Sequence, residues 1–451
     1  MQSFDVVVVG TGSAGNGVAH ACREAGRSVA IVDELPFGGT CQLRGCDPKK
    51  VLVGAATLVD WGNRMAKLGV IDRAPALQWS DLMRFKRTFT DPVPAQREKG
   101  YKDAGIATFH ARARFVDEET LDAGGERLRA KHIVLATGAT PAPVAPGDEL
   151  LLTSTDFLDL DALPARIVFV GGGYISFEFA HVAARAGANV QIVHGGARPL
   201  EHFDPDLVDR LVKYTRDLGV AVHLETEVTK IERRGAEIVV SGRSKRDAGE
   251  REFVADAAVH GAGRMPNLDG LNLEAGNVMR GKRGVTVNEY LQSTSNPRVY
   301  AAGDSADGGG APLTPVAGDE GETVAANLLH GNVKTMSFDG LTSCVYTIPT
   351  LATVGLGEAE AKEQGITFDV HAGDMTGWYS SRRLAERAAA YKMLLEKQTG
   401  RILGAHILGS YADEQINVLA LAIRHRMKAK DIAEALFAYP SGASDLQYMI
   451  E

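Results

Sequence analysis

The chain has 451 residues and a formal net charge of −8 at neutral pH. That charge argues against a nucleic-acid partner, and no apolar run approaches the roughly 20 residues needed to cross a bilayer. The start, Met1 to Asp5, carries no basic leader, so a soluble cytoplasmic protein of about two to four domains is expected.

Val6 to Val9 form a β-branched run that reads as a buried parallel strand. Gly10-Thr11-Gly12-Ser13-Ala14-Gly15 follows at once. A helix is predicted from about Asn16 to Ala25, with Gly26 as its stop, and a second strand from Val29 to Val32 runs into Asp33-Glu34. Strand, glycine turn, helix, strand and acid, in that order, are the dinucleotide-binding fingerprint. The glycines let a pyrophosphate reach the helix N-terminus. Asp33 is expected to accept hydrogen bonds from a ribose, with Glu34 as the second choice.

Gly38 to Lys50 carries the reactive groups. In an extended segment the thiols of Cys41 and Cys46 could not meet. On a distorted first helical turn they would lie on one face, close enough to bridge. Gly38 and Gly39 allow close approach to a ligand before that turn. A helix N-terminus with Lys49 and Lys50 nearby would lower a thiol's pKa. These features suit a redox pair. The competing reading is a structural disulfide or half a zinc site. Only Cys22 and Cys344 remain elsewhere, so no second cysteine pair exists and no metal site is expected.

Residues 51 to 100 read as helices and loops in which Trp61, Trp79 and Phe85 are packing residues. Arg112 to Leu128 reads as a hairpin region. Lys131 to Ala139 is a strand ending in a turn at Thr137-Gly138, and the proline-rich Pro141 to Pro146 is a crossover between domains.

A second nucleotide unit starts at Ile167. Its strand is Ile167 to Val170, its turn Gly171-Gly172-Gly173-Tyr174-Ile175-Ser176, and its helix carries Glu178 and stops at Gly187. Ser176 stands in the third glycine's place and is small enough for close helix packing. The next strand, Val190 to Val193, ends at His194 instead of an acid. An acid there would hold the 2′-hydroxyl of NAD and repel a 2′-phosphate. Its absence, with His194 and Arg198 nearby, favours NADPH over NADH. Two dinucleotide sites in one chain mean that one cofactor can reduce the other.

Gly263-Arg264-Met265-Pro266-Asn267 reads as the return to the first domain. Val299 to Asp304 is another strand ending in a glycine and an acid, and Asp304 is expected on a cofactor's sugar chain. Thr314-Pro315-Val316-Ala317 opens a helix to about His330. From Phe338 short strands (Thr342 to Tyr346, Met393 to Glu396, Ile402 to Leu408) alternate with helices (Glu358 to Gln364, Glu414 to Arg424, Lys430 to Phe437). This α+β layout lacks a nucleotide fingerprint and suits a dimer-forming or substrate domain.

With these motifs in place, the chain resembles the class I pyridine nucleotide-disulfide oxidoreductases along essentially its whole length. The resemblance rests on Gly38 to Lys50, both nucleotide motifs, Ala136-Thr137-Gly138, Gly263 to Asn267, Ala302-Gly303-Asp304 and Pro349 to Leu356. It implies an α/β protein with two Rossmann-like dinucleotide-binding domains and a C-terminal α+β dimerisation domain. The FAD-binding domain would span 1–147 and 264–336, the NAD(P)H-binding domain 148–263 and the dimerisation domain 337–451. A cytoplasmic homodimer is implied, with a small-molecule acceptor.

By that resemblance, Cys46 lies next to the flavin and Cys41 is the interchange thiol. Lys49 and Glu178 match the family's ion pair beside flavin and nicotinamide, and Tyr174 the aromatic over the nicotinamide pocket. FAD would be held by Gly10, Gly12, Ser13, Ala14, Gly15, Asp33, Glu34, Gly39, Thr40, Lys50, Thr137, Gly138, Gly263, Arg264, Gly303, Asp304, Pro315 and Val316. The nicotinamide nucleotide would be held by Gly171, Gly173, Tyr174, Ile175, His194 and Arg198.

Two positions depart from the family. Its disulfide reductases end in His-Pro-Thr, the histidine being the partner subunit's acid–base for thiol exchange. Here the run is Ala438-Tyr439-Pro440-Ser441, so Tyr439 takes the histidine's place, with Ser444 or Asp445 near a following glutamate. A phenol, with an ordinary pKa of about 10, is a poor base at neutral pH. Mercuric reductase has a tyrosine there too, but also a C-terminal cysteine pair that Tyr448 to Glu451 lacks. Glu322 and His20 replace arginines that glutathione reductase uses or carries. The expected activity is therefore NAD(P)H-dependent reduction of a small disulfide. A metal-ion or quinone reductase and a flavin-bound redox sensor with little turnover are the alternatives.

Overall fold

A computed structural model describes residues 1–450, which pack as two units. The first comprises residues 1–49, 84–142 and 264–337, and the second 50–83, 143–263 and 338 onward.

In the first unit, strand Gln2–Val9 lies between Val29–Asp33 and Glu126–Leu135, parallel to both. Val6, Val7, Val8 and Val9 are at most 5% exposed, which explains the unbroken β-branched run: both faces of the strand are covered. Helix Ser13–Glu24 returns the chain between the first two strands and buries Ala14, Val18, Ala19 and Cys22. Ala107–His110 extends one edge of this sheet. On the other side the predicted hairpin region supplies antiparallel strands Ala113–Phe115 and Thr120–Ala123. Val299–Ala301 pairs in parallel with Glu126–Leu135, which delivers Gly303 and Asp304 to the same sheet end as Gly10. Helix Thr314–His330 then packs against helix Ser13–Glu24.

The second unit holds a four-stranded parallel sheet in the order Ala221–His223, Asn189–Val193, Arg166–Val170 and Ala257–His260. Helix Tyr174–Arg185 buries nearly every side chain from Ser176 to Arg185. A three-stranded antiparallel sheet, Thr226–Arg234, Glu237–Ser244 and Glu250–Ala255, is an insertion that no sequence motif announced. The C-terminal part is a five-stranded antiparallel sheet, with helix Ala412–Arg424 against it.

Three expectations differ from the structure. Residues 50–83, assigned by sequence to the first domain, pack in the second unit, where Asp60 accepts from buried Arg185 at 2.7 Å. The helix expected over Lys430 to Phe437 is only Ala429–Ala433. Strand Phe368–Asp374 was missed because, as an edge strand in which Phe368, Val370 and Ala372 are separated by Asp369 and His371, it has no continuous hydrophobic run.

Candidate active site

The first cleft, of about 120 Å³, opens at the carboxyl end of the first parallel sheet. Gly10, Gly12, Asp33, Glu34, Gly39, Thr40, Thr137 and Gly138 all line it. Gly10 has φ +109°, and a Cβ there would sit 2.1 Å from the Ala136 carbonyl oxygen, so only glycine serves. A Cβ on Gly12 would instead meet nothing within 4 Å. That open face above a helix N-terminus is a cradle for a pyrophosphate. Thr137 Oγ1 is buried without a hydrogen-bond partner among the described residues, and so stands ready for a ligand. These features fit a bound dinucleotide.

Other predicted contacts are distributed differently. Asp33 accepts from both the backbone and the hydroxyl of Thr11, at 2.9 and 2.6 Å, and thereby ties the glycine turn to the second strand. Glu34 pairs with Arg112 at 3.5 Å. Ser13, Ala14 and Gly15 form the first helical turn, where Gly15 lets the helix close on Gly10. Gly303 donates its N–H to buried Glu320 at 2.6 Å, and burial raises Glu320 to about 7. Burial also raises Asp304, against the pull of Arg264. Pro315 and Val316 sit in the first turn of their helix, Val316 being buried. Lys50 is a correction: its ammonium pairs with Asp413 at 3.3 Å and lies 3.8 Å over the Tyr346 ring, all within the second unit. Arg44, which sequence did not single out, lines the first cleft and is partly desolvated there.

The cysteines do not share one helical turn. Cys41 belongs to helix Gly39–Arg44 and Cys46 begins helix Cys46–Lys67, with Gly45 at φ −146°, ψ −114° between them. Neither sulfur is in a disulfide, and the two thiols hydrogen-bond each other. The Cys46 sulfur also lies 3.4 Å from Thr314 Oγ1, a partner legible in sequence only as a helix start. Asp47 places a carboxylate oxygen 3.9 Å from the Cys41 sulfur. The expected lowering of the Cys41 pKa is not what this geometry gives. The bond to Cys46, burial and the Asp47 charge together push it up.

The second cleft, of about 520 Å³, is lined by Gly171, Gly173, Tyr174, His194 and Gly263 among the predicted residues. Gly171 has φ +104° and abuts Gly261. Tyr174, half exposed, opens the helix, and Ile175 follows it. Glu178 is buried on the next turn and accepts the Tyr346 backbone N–H at 2.8 Å. Lys49 is half-buried in the first unit, on helix Cys46–Lys67. Arg198 is turned toward Asp209, at 3.4 Å, and does not line the cleft. Its carbonyl bonds His194 Nε2 at 3.0 Å. Glu201 does line the cleft, and its Oε1 lies 3.1 Å from where a Cβ on Gly196 would be. Glu201 thus puts a carboxylate into this cleft from the loop that follows the strand. Tyr439 stands 74% exposed in the C-terminal sheet-and-helix layer.

Comparison with known proteins gives one consistent family. The family model described as "Pyridine nucleotide-disulphide oxidoreductase" matches residues 4–321, and its dimerisation-domain model matches residues 341–450. The chain is similar to a glutathione reductase of Burkholderia cepacia, 32% identical over 444 residues, covering 98% of this chain and 97% of that protein. It is also similar to a mercuric reductase of Staphylococcus aureus, 31% identical over 458 residues, covering 98% and 81%. Among solved structures, the HOCl-induced flavoprotein disulfide reductase RclA from Escherichia coli superposes with a TM-score of 0.86 at 25% identity, covering 100% and 99%.

Proposed function

The chain belongs to the pyridine nucleotide-disulphide oxidoreductases, a family of FAD-dependent homodimers, and from that membership we propose that it reduces a small disulfide through Cys41 and Cys46. The observation that carries this reading is the contact between the two thiols, with Cys46 held on Thr314 and Cys41 beside Asp47. An inert staple would need neither neighbour.

The first cleft would hold FAD through Gly10 to Gly15, Gly39, Thr40, Thr137 and Gly138, and the second would hold the nicotinamide nucleotide through Gly171, Gly173 and Tyr174. When bound, FAD supplies hydride acceptance from the nucleotide and two-electron reduction of the cysteine pair. The rest belongs to the chain's own residues. Cys41 as thiolate attacks one sulfur of the substrate, and the departing thiolate takes a proton. Cys46, positioned by Thr314, then attacks the Cys41 sulfur, releasing the second thiol and restoring the Cys41–Cys46 bridge. In sum, NAD(P)H, one proton and one disulfide give NAD(P)⁺ and two thiols. Lys49 and Glu178 are assigned to the charge balance near the cofactors, and Tyr439 to the acceptor side.

Glu201 changes the expected nucleotide preference. A carboxylate beside the end of the second strand suits the ribose diol of NADH and repels a 2′-phosphate, whereas Arg198 is occupied by Asp209. NADH is therefore proposed as a substrate at least equal to NADPH. Steady-state oxidation of both nucleotides, with a disulfide panel and with Hg(II), Cu(II) and quinones, tests the assignment. Turnover with disulfides that vanishes in Cys41→Ser supports it; turnover only with metals or quinones would overturn it.

A further inference from the structure

The helix that carries Cys41 runs only from Gly39 to Arg44. So short a helix makes too few internal hydrogen bonds to hold itself in water, and its position comes from what fastens it. One fastening is at its start, on the glycine turn of the first cleft. Gly38 donates its N–H to Thr11 Oγ1 at 3.1 Å, and that hydroxyl donates to Asp33 at 2.6 Å. A Cβ on Gly39 would sit 2.4 Å from Gly12 Cα, so these two glycines are in direct contact.

The second fastening lies at the residue after Cys41. Arg97, half-buried on helix Val93–Asp103, donates from Nε and Nη2 to Gln42 Oε1, both at 3.0 Å. Its Nη1 donates to Asn16 Oδ1 at 3.2 Å. Buried Tyr101, one turn further along, donates to the same oxygen at 3.1 Å. Asn16 follows Gly15 in helix Ser13–Glu24, whose N-terminus meets the first cleft at Gly12. All four residues belong to the first unit. One planar guanidinium thus joins the helix of Cys41 to the helix under the pyrophosphate cradle. Both acceptors are neutral amides, so the link works by geometry and not by charge pairing. The fork of a guanidinium suits two acceptors at fixed angles, whereas a lysine ammonium is a single point of charge on a flexible stem.

We propose that Arg97 is a positioning residue for thiol exchange: through Gln42 it holds Cys41 within reach of Cys46 and so raises the effective concentration of one sulfur at the other. The step it serves is the second exchange. The Cys46 thiolate attacks the Cys41 sulfur of the mixed disulfide, the Cys41–Cys46 bond forms, the bond from Cys41 to the substrate breaks, and the departing thiolate takes a proton. The role in turnover rests on the disulfide-reductase reading above; the role in forming the Cys41–Cys46 bridge does not.

The test equilibrates the FAD-loaded protein with dithiothreitol redox buffers and reads the Cys41–Cys46 bridge by alkylation and peptide mass. Arg97→Met and Gln42→Met should each lower the equilibrium constant for the bridge about tenfold. The double variant should lose about the same tenfold, because both substitutions cut one link. Arg97→Lys should not restore the bridge, whereas Gln42→Glu, which keeps an acceptor oxygen for the guanidinium, should stay within about twofold of the native protein. Gln42→Met carries the test if Arg97→Met does not fold. In turnover with NADH, normalised to bound FAD, the single variants should lose disulfide reduction about tenfold and keep reduction of ferricyanide, which takes electrons from the flavin directly. A native bridge equilibrium in both single variants, a hundredfold loss in the double variant, or equal losses with both acceptors would overturn the proposal. A native protein that bridges Cys41 and Cys46 but reduces no disulfide would overturn the functional reading alone, with the bridge equilibria still deciding on Arg97. A native protein that forms no bridge even with diamide would overturn both.

Discussion

At the residue scale, Asp47 is the side chain that most alters how Cys41 behaves. A thiolate at Cys41 must form against a carboxylate 3.9 Å away and in partial burial. Replacing that carboxylate by an amide removes the charge and keeps the shape. Asp47→Asn should therefore move the pH dependence of Cys41 alkylation in the reduced protein downward by up to about 0.7 unit, because one unit corresponds to ~1.4 kcal/mol and an exposed charge interaction is worth about 0.2–1 kcal/mol. An unchanged profile would show that burial and Cys46 alone set the thiol. Glu201 offers a second residue-scale test. Glu201→Arg should lower the KM for NADPH and raise that for NADH, for a combined change in preference of about tenfold or more; no change would remove Glu201 from the nucleotide site.

Both residues show where sequence reading stops. Asp47 stood inside the cysteine motif, but its direction toward Cys41 depends on the break at Gly45, which a single helical turn would not have. Glu201 is brought to the strand end by a loop, so no spacing rule finds it. Lys50 failed for the opposite reason: adjacency to Lys49 suggested a shared role, yet its partners Asp413 and Tyr346 come from residues far along the chain.

At the scale of elements, the legible parts were those with a local cause. The opening strand of each nucleotide unit, Gln2–Val9 and Arg166–Val170, ends in a β-branched or apolar run that leads straight into a glycine turn, because burial on both faces and a close phosphate both leave marks in the sequence. The antiparallel strands from Thr226 to Ala255 alternate or carry charge, and their pairing is set by register. The second unit is also tied by buried ions. Lys392, almost fully buried, reaches Asp204 and Glu358, each at 2.9 Å, and Asp206 at 2.5 Å, and the three carboxylates hold it charged. Glu386 is compensated less fully, by the charge of Arg64. Burial raises its carboxyl to about 7, although Ser410 donates to it.

Below about pH 4.5, Glu386 is protonated whether the chain is folded or not, and costs nothing. Between about 4.5 and 7 the folded state binds the extra proton, so stability falls as pH rises, and the loss is complete above 7. Glu386→Gln should match the native protein near pH 4 and exceed it at pH 8 by up to about 3 kcal/mol, as read by urea unfolding. A variant equally less stable at both pH values would show that the carboxyl is stabilising as it stands.

At the scale of the whole molecule, the described residues form two units, whereas the motifs suggested three blocks. The motifs mark ligand sites and the units mark packing, and Asp60 with Arg185 shows how a segment next to one site can be anchored elsewhere. The proposed path of two electrons through this molecule runs from a nicotinamide nucleotide to Cys41 and Cys46. Peptide mapping of the air-oxidised protein, and of the same protein after one equivalent of NADH without oxygen, reads that path. The prediction is a Cys41–Cys46 bridge that disappears on reduction and yields two alkylated cysteines, with Cys22 and Cys344 unchanged. Nucleotide oxidation that leaves the bridge intact, or an oxidised protein in which Cys41 and Cys46 are already free, would contradict it.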